Sequence, residues 1–193
     1  MIRLFILLFA LLVMSSTSAS AEATKERIVV DRIVAVVDER AITRSSLDQE
    51  TLPLRTLILT NHALDDAARD AAMRDLDRAA LRQMIDTYLL VREATRRGIA
   101  TSDEEIDRAL EQVAREQGRG ASEFTKMITQ QGYDEAQVRR RIGEQIVSGR
   151  LASNEARRLY PVVSKPPGPE QQALILNTLV SRLRDDAYIE ERL

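Results

Sequence analysis

A chain of 193 residues with a formal net charge of −2, 30% charged and 4% aromatic residues and no cysteine is long enough for one domain with a real core and has the composition of a helical protein with solvated outer faces. Acids and bases nearly cancel and no basic cluster is interleaved with aromatics, which argues against nucleic acid as a partner. The lack of cysteine excludes disulfides and a lipid-modified N-terminal Cys, so stability must come from packing.

Residues 1–21 read as a signal peptide. Arg3 is the positive start, Leu4 to Met14 is an unbroken apolar run, and Ala19-Ser20-Ala21 is the small-x-small pattern of a cleavage site. Eleven apolar residues are too few to span a bilayer, so the expectation is cleavage after Ala21, periplasmic release and no stable membrane insertion. Losing Arg3 leaves a formal net charge of minus three.

From Val29 to Gln49 the character changes. Ile33 to Val37 is mostly β-branched, Asp38-Glu39-Arg40 is polar, and Ala41-Ile42-Thr43 is extended-looking before Ser45 offers a helix N-cap. The reading is a small hairpin feeding a helix. Glu39 is a poor residue for a positive φ, which argues against a tight two-residue turn. Leu47, Leu54, Leu57 and Ile58 give the next helix an apolar side, and Pro53 predicts a break between Gln49 and Pro53. Thr60-Asn61-His62 reads as a loop, with His62, the single histidine, a polar loop residue and not a metal ligand. Asp65 or Asp66 then starts a helix that runs to Arg97.

The stretch from Leu81 to Gly118 is a helix, a turn and a helix. Leu81, Met84, Ile85, Tyr88 and Leu89 make one wide apolar stripe, and Gly98 marks its stop. Ser102 with Glu105 has the spacing of a capping box, and Ile106, Leu110 and Val113 continue a second stripe. Phe124, Met127 and Ile128 mark a short helix closed by Gly132. Asp134 with Gln137 opens a long one whose Val138, Ile142, Ile146, Ala152 and Leu159 face inward until Pro161. Gly143 and Gly149 inside it suggest close helix contacts or a bend. Residues 22–160 thus form the helical body and 161–169 a proline-rich linker. Residues 170–193 form a tail that returns to the body: Leu174, Ile175, Leu179 and Leu183 supply a stripe, and Ala187-Tyr188-Ile189 a short strand to complete the hairpin's sheet.

The segments VVDRIVAVVDERAITRSSLDQ, Leu81 to Gly118, QQGYDEAQVRRRI and LASNEARRLY, in this order, resemble the N-terminal domain of the SurA family, periplasmic chaperones of outer-membrane proteins. RDDAYIEERL is similar to that family's closing segment. The resemblance implies a mostly α fold: a helical SurA-like core domain with a small N-terminal β-hairpin completed by a C-terminal strand. In the family, parvulin-type prolyl isomerase domains are inserted in that core; here only the proline-rich stretch stands at that place. The hairpin turn departs from the family as well, carrying Asp38-Glu39-Arg40 where glycine is usual.

Three functions compete. An enzyme is weakest, because no nucleophile with a base, phosphate loop, cofactor site or metal-ligand spacing is present in the sequence. A chaperone would hold unfolded outer-membrane proteins or other exported polypeptides without ATP, with Met84, Tyr88, Phe124, Met127 and Tyr133 lining an adaptable client-binding groove. The alternative is a non-catalytic adaptor that uses the same surface for one folded envelope partner. Apolar residues at helical spacing are more often core than groove, so the chaperone reading rests on the resemblance.

Overall fold

A computed structural model of the protein describes residues 31–159 and 168–193. The signal-peptide reading and the proline-rich stretch up to Pro167 lie outside them. The described elements are β1 (Ile33–Val37), β2 (Arg40–Thr43), α1 (Arg44–Thr60), α2 (Asp66–Arg96), α3 (Asp103–Glu116), α4 (Ala121–Gln130), α5 (Glu135–Leu159), α6 (Pro169–Asp186) and β3 (Ile189–Glu191). The fold is mostly helical, and its three strands form one sheet in the order β2-β1-β3, antiparallel throughout. The C-terminal strand therefore completes the hairpin, as the sequence suggests. It starts two residues later than expected because Ala187 caps α6 in an extended conformation.

The hairpin turn corrects the sequence reading. Val37 pairs with Arg40 across two residues, and the positive φ of +51° falls on Asp38 rather than on Glu39. Aspartate is one of the few side chains that tolerates this region. Three contacts hold it there. Its N–H donates to the Tyr188 carbonyl at 2.8 Å, its Oδ1 accepts from Tyr188 N–H at 3.0 Å, and its Oδ2 pairs with Arg92 on α2. The residue that bends the hairpin also fastens the C-terminal strand.

Helix α1 holds two more corrections. Thr43, not Ser45, is its N-cap, and its side chain accepts from Ser46 N–H, while the Ser45 hydroxyl is bonded to Asp31. The helix also runs through Pro53 without a break. Proline removes the donor that the Gln49 carbonyl would use, and the Gln137 side chain donates to that carbonyl instead, at 3.4 Å. Gln137 is buried and also caps its own helix, accepting from Asp134 N–H at 3.2 Å. Arg141 donates to the next carbonyl, that of Glu50, at 3.4 Å. Helix α5 thus supplies what the proline withholds.

Two apolar cores follow. The larger joins Val34, Ala35 and Val37 of the sheet with Leu47, with Leu81, Ile85, Leu89, Leu90 and Ala94 of α2, with Val147 and Leu151 of α5, and with Leu179 and Leu183 of α6. The smaller is built from Leu110 and Ala114 of α3 and Phe124 and Ile128 of α4, backed by Met127, Tyr133, Val138 and Ile142. Gly98, Gly118 and Gly132 close their helices with positive φ, and the Ser102–Glu105 capping box is formed. At Gly143 a Cβ would lie 3.2 Å from Ile106 Cδ1, so α3 and α5 do approach closely there, whereas Gly149 has open space.

Several residues expected inside are outside: Leu54, Leu57, Val113, Leu159 and Leu174 are exposed. On α6 the tail's inner line is Leu176, Leu179, Val180 and Leu183. On α1 the inner side beyond Thr51 is polar. Arg55 pairs with Asp77 of α2, Arg44 pairs with the same carboxylate at 2.8 Å, and the buried Thr51 hydroxyl accepts from Arg55 Nε at 2.8 Å.

Two buried carboxylates tie the helices together. Glu155, 1% exposed, receives Arg97, the C-cap of α2, at 2.8 Å, Arg158 of its own helix at 2.6 Å and Arg182 of α6 at 3.5 Å. Arg97 also reaches Glu93 at 2.6 Å. Hydrogen bonding from Arg158 above all holds the Glu155 carboxyl down to about 2, and Arg96 chiefly lowers that of Glu93. Buried charges of this kind are tolerated only when paired and hydrogen-bonded.

Candidate functional site

A cleft of about 500 Å³ opens between β2, α1, α2 and α5. Its wall is amphipathic by construction. Met84 and Tyr88 lie one turn apart on α2, on the flank of the stripe whose centre, Ile85 and Leu89, is fully buried. Both are partly buried, packing on the larger core with one side and lining the cleft with the other. Ile42 and Ala41 of β2 continue this apolar surface.

The opposite side is charged. Arg140 and Arg141 of α5 both reach Glu50 of α1, Arg140 at 3.5 Å, and Arg140 lies 3.8 Å from Glu144. Burial pushes the Glu144 carboxyl above its ordinary value, and Arg140 opposes this. Arg40 stands with its guanidinium 5.2 Å from the centre of the Tyr88 ring, and Arg92 lies 6.0 Å from it. Such cation–π contacts hold a ring's orientation and contribute about 0.5–1 kcal/mol at exposed sites. The cleft thus joins a small apolar wall of Met84, Tyr88, Ala41 and Ile42 to a larger rim of polar and charged side chains.

Of the five residues expected to line a groove, the structure brings two together, Met84 and Tyr88. Phe124, at 8% exposure, is a member of the smaller core, with Met127 and Tyr133 packed against it. Tyr133 approaches the cleft only through Arg141, whose guanidinium lies 5.7 Å from its ring centre. The reason is the αα unit of α3 and α4, which has its own apolar stripes and needs these side chains to close them. The residues that sequence reasoning missed are Arg40, Gln49, Glu50, Arg140, Arg141 and Glu144. Arg140, Arg141 and Glu144 read as an ordinary solvated helix face. Pro53 was the available signal for Gln49 and its neighbours, because a proline inside a helix leaves a carbonyl that some other element must satisfy.

The carboxylates that line the cleft, Glu50 and Glu144, face arginines. Among the described residues no group of His, Cys, Asp and Glu is placed to hold a metal ion, and no helix is long and apolar enough to cross a membrane. His62 sits exposed in the loop between α1 and α2.

A family model described as the SurA-like N-terminal domain matches residues 1–163. Among curated proteins, the chain is 28% identical over 154 residues to a chaperone SurA of Xanthomonas campestris, covering 78% of this chain and 32% of that protein. It is 29% identical over 129 residues to the chaperone SurA of Nitrosococcus oceani, covering 65% and 28%. To that of Alkalilimnicola ehrlichii it is 28% identical over 165 residues, covering 85% and 34%. The match spans about a third of the length of these relatives.

Proposed function

We propose that this chain, which belongs to the SurA-like N-terminal domain family, is a periplasmic chaperone that holds unfolded outer-membrane proteins in the cleft between β2, α1, α2 and α5. It works without ATP and catalyses no reaction on its client. The observation that carries the reading is the wall formed by Met84 and Tyr88 in a member of this family: an apolar, shape-tolerant surface left open beside a closed core. Methionine adapts to varied partners and tyrosine offers a rigid face with a polar tip. The framing charges keep the opening hydrated, so the surface does not collapse on itself. A client loses chain entropy when it is ordered there, so affinity is modest and release needs no energy source. The leader-like start of the sequence supports export.

Dilution of a urea-denatured β-barrel outer-membrane protein into buffer, followed by light scattering, tests this. The chain in several-fold excess is expected to delay aggregation, and Met84→Gln with Tyr88→Ser to weaken the delay at a temperature where circular dichroism shows the variant folded, since both side chains also pack on the core with one side. Unchanged aggregation, combined with recovery of one folded envelope protein in fixed stoichiometry, would establish the adaptor in its place. Intact mass and osmotic-shock fractionation check location: a product beginning at Glu22 in the shock fluid is expected, and one retaining Met1 and sedimenting with membranes would be an anchored protein.

A further inference from the structure

The sheet has one free edge on the cleft, and its hydrogen-bond phase can be read from the other side. Asp38 N–H donates to Tyr188 O at 2.8 Å and Arg192 N–H to Val34 O at 2.7 Å, with Val36 opposite Glu190 between them. In an antiparallel ladder bonded and non-bonded pairs alternate, so Val34, Val36 and Asp38 turn their backbone groups toward β3. Val36 therefore does not bond across to β2, and neither does Ala41, which stands opposite it. The N–H and C=O of Ala41 point out of the free edge instead. Ala41 is exposed and lies on the cleft wall, and no backbone group of another described element bonds to it. An open edge of this kind is a template for another extended chain.

The neighbouring residue adds a charge preference. Arg140 and Arg141 are held by Glu50, whereas Arg40 meets the Tyr88 ring, acts on the Glu144 carboxylate only at longer range, and forms no direct salt bridge among the described residues. Arg40 and Ile42 point to one side of β2 and Ala41 to the other.

We propose that an extended segment of unfolded polypeptide adds to the free edge of β2 as a fourth, antiparallel strand, exchanging both backbone hydrogen bonds with Ala41 and setting an acidic side chain beside Arg40. This rests on the chaperone reading of the cleft and states the mode of capture. The client residue opposite Ala41 points its side chain away from the cleft, and the residues on either side of it point inward, one toward Arg40 and the other toward Ile42 and Met84. Main-chain bonds are blind to sequence, which suits a binder of many clients, while the inward positions supply the selection.

The test is a labelled nine-residue peptide that alternates serine with valine and has glutamate in one valine position, titrated into the protein by fluorescence anisotropy. With valines inward, the serine residues are the ones that pair with Ala41. N-methylation of the serine amides is expected to weaken binding at least tenfold, and N-methylation of the valine amides to change it less than about twofold. An equal effect of both sets, an effect of the valine set alone, or no binding of the unmodified peptide overturns the proposal. Ala41→Pro, which removes the edge donor, is expected to lose peptide affinity by the same factor; if it does not fold, the methylated pair on the unaltered protein decides. A dimer in the absence of peptide that Ala41→Pro dissociates would assign the edge to a second copy and also overturn it. Delayed aggregation without the methylation pattern would leave the chaperone standing and sink only the strand addition.

Discussion

Helix α2 passes through two settings. From Leu81 to Ala94 it lies among the sheet, α5 and α6, and every turn contributes a buried side chain; from Asp66 to Ala80 it lies along α1, and no residue is buried. The partner helix shows the same contrast: Leu47 and Thr51 are buried, while Leu52, Leu54, Leu57 and Leu59 are at least half exposed. Apolar residues at helical spacing announce a face that can be buried, and the number of neighbours decides whether it is. In the base there are walls on several sides. In the arm there is one partner, and the line between the two helices is taken by Arg44, Arg55 and Asp77.

The comparison breaks if base and arm respond alike to mutation. Leu89→Ala, at a fully buried position, is expected to cost about 2–5 kcal/mol, read from urea unfolding, because it leaves a cavity among several walls. Glu155→Ala should follow at about 3 kcal/mol, since it strands the arginines that join α2, α5 and α6. Acid sharpens that second case. The folded carboxyl titrates near 2 against an ordinary 4.5, so its contribution is complete above about pH 4.5 and is lost as pH falls toward 2. Melting temperatures measured over that interval should fall less steeply for Glu155→Gln than for the native chain. Gln137→Ala should cost about 1–2 kcal/mol, because the Gln49 carbonyl, which Pro53 cannot serve, then loses its substitute donor. In the arm, Leu57→Ser at 64% exposure should stay within about 0.5 kcal/mol in the same urea experiment. A loss of several kcal/mol there would mean that the arm is covered in solution.

Most of the fold was legible because its signals are local. The capping box at Ser102 and Glu105, the glycine stops and the stripe from Leu81 to Leu89 each specify an element from residues a few positions apart. What was not legible depended on distant partners. Pro53 promises a broken helix until Gln137, far along the chain, takes over the vacant carbonyl. Asp38 accepts a positive φ because Tyr188 and Arg92 hold it. The cleft was half legible for the same reason: Met84 and Tyr88 lie on a stripe that the sequence displays, but whether Phe124 and Met127 belonged with them or with α3 depended on which stripe each helix would close against.

The sheet order β2-β1-β3 also fixes a schedule. Tyr188 and Asp38 are 150 positions apart in the chain, so the strand that completes the sheet pairs with one far from it in sequence. The helix pairs form from neighbours and can assemble first, whereas the closing strand must find its place across 150 positions, the kind of pairing that sets a slow final rate. Until it arrives the sheet has a second bare edge, that of β1, and the chain is itself, for that interval, open to the strand pairing that such an edge invites.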